Sequence, residues 1–246
     1  MDPMSSLRCA RRLWLPFALV VAIAPAAACE RQVSGSAVAG GADLTVVGST
    51  GSAAPSDDPG SGLQSRSLRV DEFPAGYSAA QIPAAQAPNL LNDLTGARPG
   101  ATTAPAGCLP DSLDPTKAVV LDALSPSGDA HLSVVTATVD SPLATVADQA
   151  RRCPRYTVTS GSTRTSVVTT MLPPAPVTSQ ESIALRREVH QLSAPTQPVT
   201  TSTILIAQNN GIRVYAAYVG TGASATPDGQ ALDEVFTKAV KRSRGQ

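Results

Sequence analysis

Residues 199–220 read "VTTSTILIAQNNGIRVYAAYVG", and this stretch limits the fold more than any other part of the chain. Two β-branched and apolar runs flank Asn209–Asn210–Gly211. Asn and Gly tolerate the positive φ that a tight hairpin turn needs, so the two runs are expected to pair as antiparallel neighbours. The segment "PDGQALDEVFTKAVKRS" follows at 227–243. Its Leu232, Val235, Phe236, Ala239 and Val240 recur at helical spacing, Asp228 is placed to cap, and Lys238, Lys241 and Arg242 suit the negative C-terminal end. A hairpin feeding a helix with one apolar face calls for a sheet on which that helix can lie.

The segments upstream extend the same design. Leu68–Phe73 reads as an edge strand ended by Pro74, and "AAQAPNLLNDL" as a short helix weakened by Pro88. "GARPGATTAPAGCLPDSLDP" reads as loop, and Ala130–Asp140 is β-branched and strand-like. Ser141, Pro142 and the face Leu143, Val146, Ala147 and Ala150 describe a helix that closes on Arg151 and Arg152. "RYTVTS" and "RTSVVTTML" form a second hairpin around Gly161–Ser162–Thr163, and "SIALRREVHQL" is a strand with a break in phase or a bulge. Parallel βαβ alternation is absent. The expected fold is α+β: a single antiparallel β-sheet with helices packed on one face.

The N-terminus carries an address. Arg8, Arg11 and Arg12 precede an apolar run from Leu13 to Ala28 that Pro16 and Pro25 interrupt. The run falls short of the roughly 20 residues of a spanning helix and matches a secretory signal. "AAAC" ends it and resembles a bacterial lipobox, with Ala26 where Leu is usual. Residues 1–28 are therefore read as a lipoprotein-type signal peptide and Cys29 as the lipidation site, a membrane anchor on the extracytoplasmic face. Ordinary signal-peptidase cleavage after Ala-x-Ala is the competing reading. Residues 29–66, rich in Gly, Ser, Thr and Pro, read as a flexible tether with a reach of roughly 30–35 Å. The α+β domain is placed at 67–246, long enough for one core.

Charge and cysteine usage exclude several functions. Removing 1–28 takes Asp2, Arg8, Arg11 and Arg12 from 19 acidic and 19 basic residues, leaving 18 and 16. No basic surface results, so no nucleic-acid partner is expected. Cys9 lies in the signal. Cys108 and Cys153 remain, and an even pair in an oxidising compartment is read as a disulfide. Without C-x-x-C spacing, and with only two histidines, no metal site and no cofactor are expected.

Catalytic patterns are also missing. No G-x-S-x-G occurs, and His131 and His190 both sit in strand-like segments, where a histidine is ordinarily structural. "GTGASA" at 220–225 lies between strand and helix, yet the chain has no following strand to carry the acidic residue of a dinucleotide site. Asp71, Glu72, Asp111, Asp114, Asp122, Asp129 and Asp140 read as solvated charges in loops or at element ends, and none is nominated as a catalytic pair.

The signal, "AAAC", the tether, "FPAGYSAAQIP", "RRCP" around Cys153 and "DGQALDEVFTKAV" together resemble small envelope lipoproteins of mycobacteria and related actinobacteria that carry a domain of unknown function. Some of these are similar to the extracellular sensor domain of mycobacterial Ser/Thr kinases. Such sensors usually carry two disulfides, whereas this chain has one available pair. The resemblance implies a non-catalytic, sensor-like or binding module for a small molecule, lipid or envelope partner, and it carries over no functional residue. An envelope hydrolase is the alternative, and requires a titratable pair gathered in a pocket. "ILIAQ" and "VYAAYV" are the apolar runs available to line a binding cleft.

Overall fold

The computed structural model describes residues 59–246 except 195 and 223–225, and all of them belong to one compact unit, Ala53–Gln246. The expected hairpin is its centre. β8 (Thr200–Asn209) and β9 (Ile212–Thr221) pair in unbroken antiparallel register, turning through Asn210 (φ 47°) and Gly211 (φ 74°). Both φ values are positive, as a two-residue turn matching the strand twist requires. The remaining strands are β1 (Ser78–Ile82), β2 (Thr102–Ala104), β3 (Ala118–Leu124), β4 (Ala130–Thr138), β5 (Arg155–Ser160), β6 (Thr163–Leu172) and β7 (Glu181–Gln191). Together they form one antiparallel sheet in the order β1-β3-β4-β9-β8-β7-β6-β5-β2.

The α+β class, the single antiparallel sheet and the one disulfide are as expected. The placement of the helices on one face is not. α4 (Gly229–Ser243) covers one face, burying Leu232, Val235, Phe236, Ala239 and Val240 against Leu132, Val134, Leu205, Val214 and Ala216. α2 (Ala87–Thr95) and α3 (Leu143–Arg152) lie on the opposite face, against Val120, Val135, Leu185, Ile204, Ile206 and Tyr215. The reason is in β8 and β9. Ile204, Leu205, Ile206 and Ala207 are all buried, as are Val214 to Tyr218, so neighbouring side chains pointing to opposite faces are both apolar. A strand apolar on both faces needs cover on both.

Five further differences have local causes. Leu68–Phe73 is not a strand: Val70–Glu72 forms a short 3-10 turn, with the Glu72 carboxylate accepting from the Arg69 backbone N–H at 2.9 Å. Pro88 opens α2 instead of weakening it, because a missing N–H costs nothing in a helix's first turn. β7 runs without a bulge. Its broken phase reflects Ala184 and Leu185, buried on opposite faces. β2 sits inside the stretch read as loop, as a three-residue edge strand on β5. α1 (Pro59–Ser65) falls within the stretch read as tether, and its Leu63 packs with Val119 and Ile212.

Candidate functional site

α2 and α3 are short, and a cleft lies between them. The cleft there has a volume of about 420 Å³, within the ordinary range for a small-ligand site. Leu185 of β7, Ile204 and Ile206 of β8 and Tyr215 of β9 make its floor. In register, Leu185 stands opposite Ile204, and Ile206 opposite Tyr215, so the floor is one continuous apolar patch. The walls are the end of α2 at Leu94 and Thr95, the 109–114 loop, and Thr145, Val146 and Gln149 of α3. Of the two runs expected to line a cleft, alternate residues do so. Their partners Leu205, Ala207, Val214 and Ala216 lie under α4.

The disulfide holds this cleft together. Cys108 and Cys153 are bonded, both are buried, and they pack with Tyr156, Val158 and Val167. The bond ties the loop wall to the end of α3. Gln149 Nε2 donates to the Cys108 carbonyl at 2.8 Å and adds a second tie between the same two walls.

Two arginines stand at the ends of the floor. Arg213 on β9 is 3% exposed and fully engaged by neutral groups. Its Nε donates to Gln208 Oε1 (2.7 Å), Nη1 to Tyr215 Oη (3.3 Å) and Nη2 to the Ser141 carbonyl (2.7 Å). Arg187 on β7 is 5% exposed and far less satisfied. Its Nη1 donates to the Leu94 carbonyl at 2.8 Å, at the C-terminal end of α2, where the helix dipole favours a cation. Its Nε has no hydrogen-bond partner among the described residues, nor has the neighbouring Tyr156 Oη. Burial pushes the Arg187 pKa down, with the nearby Arg98 cation adding to the effect against Tyr156 and Tyr215. Burial also pushes the Tyr156 and Tyr215 phenols up. Gly96 makes the arrangement possible. At φ +78° it caps α2, and a Cβ there would lie 3.1 Å from Arg187 Cζ and 3.3 Å from Tyr156 Oη.

Charges of both signs surround the mouth. Asp111, Asp114, Asp140, Lys117 and Arg152 line it. Lys117 Nζ approaches Asp140 Oδ2 at 3.8 Å, and Asp114 caps the turn before β3 by accepting from the Thr116 N–H at 2.9 Å. The hydroxyl and backbone N–H of Thr116 hold the Asp114 carboxyl below its ordinary pKa.

A second hollow, about 380 Å³, lies on the same face between α2 and strands β1, β3, β4 and β9. It contains one of the two histidines. His131 Nδ1 lies 2.9 Å from Asp122 Oδ2, and Ser133 Oγ donates to Asp122 Oδ1 at 2.6 Å. Asp122 is therefore on strand β3 and engaged on both oxygens, not a solvated loop charge. The order is histidine, carboxylate, serine. Acyl transfer needs the histidine between carboxylate and serine, so this hydroxyl is not activated for attack. His190, on β7, lines neither hollow, and its Nε2 lies 3.9 Å from Glu188 Oε2. Among the described residues no group of three or more His, Cys, Asp or Glu is placed to hold a metal ion, and no helix is long and apolar enough to cross a membrane. Cys29, the signal and most of the tether lie outside the described residues, as does the 223–225 part of "GTGASA".

Sequence reasoning identified the cysteine pair and part of the cleft floor but missed Arg187 and Asp122. "LRREV" carries a signal for the first: at position 187 a cation falls in phase with Leu185, on the apolar side of a strand.

No protein family and no curated protein matches the sequence. Solved structures do. The chain is similar to an uncharacterised protein of Mycobacterium smegmatis (Rv0999 ortholog), with 13% identity and a TM-score of 0.42 over 71% of this chain and 92% of that one. It is also similar to the extracellular domain of PknH from Mycobacterium tuberculosis, with 14% identity and a TM-score of 0.41 over 71% of this chain and 98% of that one.

Proposed function

We propose that this is a non-catalytic, lipid-anchored protein of the cell envelope whose α+β domain works as a binding or sensor-like module. The cleft between α2 and α3 is its ligand site. The observation that carries this reading is the cleft of about 420 Å³ over Leu185, Ile204, Ile206 and Tyr215, set between two short helices and walled by a disulfide-tied loop. The signal and "AAAC" supply the address, with two acyl chains on Cys29 for stable attachment.

Two measurements test it. Intact mass of the chain exported from an actinobacterial host should begin at Cys29, carry acyl groups and gain two hydrogens on reduction. An unmodified secreted mass would overturn the anchor. For the cleft, dodecanol should bind saturably at one site per chain, and Thr145→Trp, which fills the mouth from α3, should abolish that binding. Absence of saturable binding overturns the module reading.

The Asp122–His131 pair favours a second reading, an envelope hydrolase. Ester or cell-wall hydrolysis by the purified chain that is lost in His131→Ala would establish it. The Ser133–Asp122 bond argues for no such activity.

A further inference from the structure

The cleft contains a buried cation that forms no ion pair among the described residues, the carboxylates Asp111, Asp114 and Asp140 at the mouth included. This cation is Arg187, 5% exposed. The charged and titratable groups that act on it are Tyr156, Tyr215 and Arg98, none of them a carboxylate. A guanidinium has five N–H groups, and among the described residues Arg187 gives one hydrogen bond, through Nη1 to the Leu94 carbonyl. Its Nε is buried without a partner among the described residues, as is the nearby Tyr156 hydroxyl.

Leaving a buried charge without a counter-ion is costly, and proteins ordinarily pair such groups. The end of α2 offers a partial negative charge and one acceptor. That explains the Leu94 bond but not the unsatisfied Nε. The remaining donors border a cleft whose floor is apolar. Arg213 lines the same cleft, but its hydrogen bonds to Gln208, Tyr215 and Ser141 hold it in place. The two arginines are far apart. Arg187 stands opposite Ser202 and Arg213 opposite Gln208, six residues along β8, roughly 20 Å at the strand rise.

Resting on the reading of this cleft as a ligand site, we propose that its ligand is an amphiphilic anion. A carboxylate or phosphate head pairs with Arg187, and an apolar body lies along Leu185, Ile204 and Ile206. Arg suits such heads because its planar fork meets two oxygens at once. The bound head would supply the missing counter-ion, and the apolar body would fill the cleft above the floor.

The test uses the full chain carrying Cys29→Ser, so that acyl groups attached there do not compete, and measures binding by calorimetry at pH 8. Three probes share one body or one head: dodecanoate, dodecanol and acetate. Dodecanoate is expected to bind at least about tenfold more tightly than dodecanol, as a charge-assisted bond to a buried partner implies, and acetate not measurably. Arg187→Gln removes the guanidinium and should remove the tenfold preference for dodecanoate over dodecanol. A single cooperative thermal transition shows that the variant is folded. Equal affinity for dodecanoate and dodecanol in the parent chain overturns the anion proposal and leaves the cleft reading intact. Acetate binding as tightly as dodecanoate overturns the amphiphile. If neither alkyl probe binds, both the cleft reading and this inference fail.

Discussion

Gly96 shows how one position without a side chain sets up a site. Its positive φ ends α2, and its missing Cβ lets the Arg187 guanidinium and the Tyr156 hydroxyl come together beneath the helix end. Gly96→Ala should destabilise the domain by about 1 kcal/mol or more, since it adds left-handed strain to a contact closer than a Cβ tolerates. The same change should weaken dodecanoate binding more than dodecanol binding, because it displaces the head-group partner and not the floor. Chemical denaturation and calorimetry on the same preparation check both. Asp129 gives a pH prediction at this scale. The Ser127 and Ser125 hydroxyls hold its carboxyl below the ordinary pKa. A lowered folded pKa contributes stability above the unfolded value, lost as pH falls through the folded one. Asp129→Asn should therefore flatten the fall in stability below about pH 4.

At the scale of elements, the disulfide and the helices define the cleft. Chain-entropy reasoning for a 45-residue separation gives the Cys108–Cys153 bond about 4 kcal/mol. Cys108→Ser with Cys153→Ser should lose about that much in urea denaturation. It should also weaken alkyl-probe binding, because the 109–114 wall is no longer tied to α3. The cysteine pair was legible in the sequence because export leaves few other uses for two thiols. The β8–β9 hairpin and α4 were legible because Asn210–Gly211 and the Leu232–Val240 spacing each encode one local geometry. What escaped depended on long-range contact. β1 and β2 are short edge strands with little apolar pattern of their own, stabilised by pairing to β3 and β5. Arg187 looked like one charge among several in "LRREV" until the strand's neighbours showed which face it occupies.

For the molecule as a whole, one sheet serves two cores. Phe236, Leu205 and Val214 form the core beneath α4, while Leu185, Ile204 and Tyr215 form the other, and both sets hang on the same strands. The two faces should therefore melt together. Phe236→Ala, a fully buried truncation, is expected to cost about 3–5 kcal/mol. It should lower a single calorimetric transition without splitting it, although Phe236 lies on the face away from the cleft. Both faces of β8 and β9 could be seen as apolar in the sequence. The cleft could not, because it depends on how α2, α3 and the 109–114 loop pack around one face.

The most direct measurement of the central claim is a methyl-detected NMR titration of the Cys29→Ser chain with dodecanoate. Alternate residues of one strand report opposite faces, so the readout carries its own control. Ile204, Ile206 and Leu185 should shift and saturate together, while Leu205, Val214 and Leu132 under α4 stay in place. Shifts confined to the α4 face, shifts around His131 and Leu90 in the other hollow, or no saturable shift at all would contradict a ligand site in the cleft between α2 and α3.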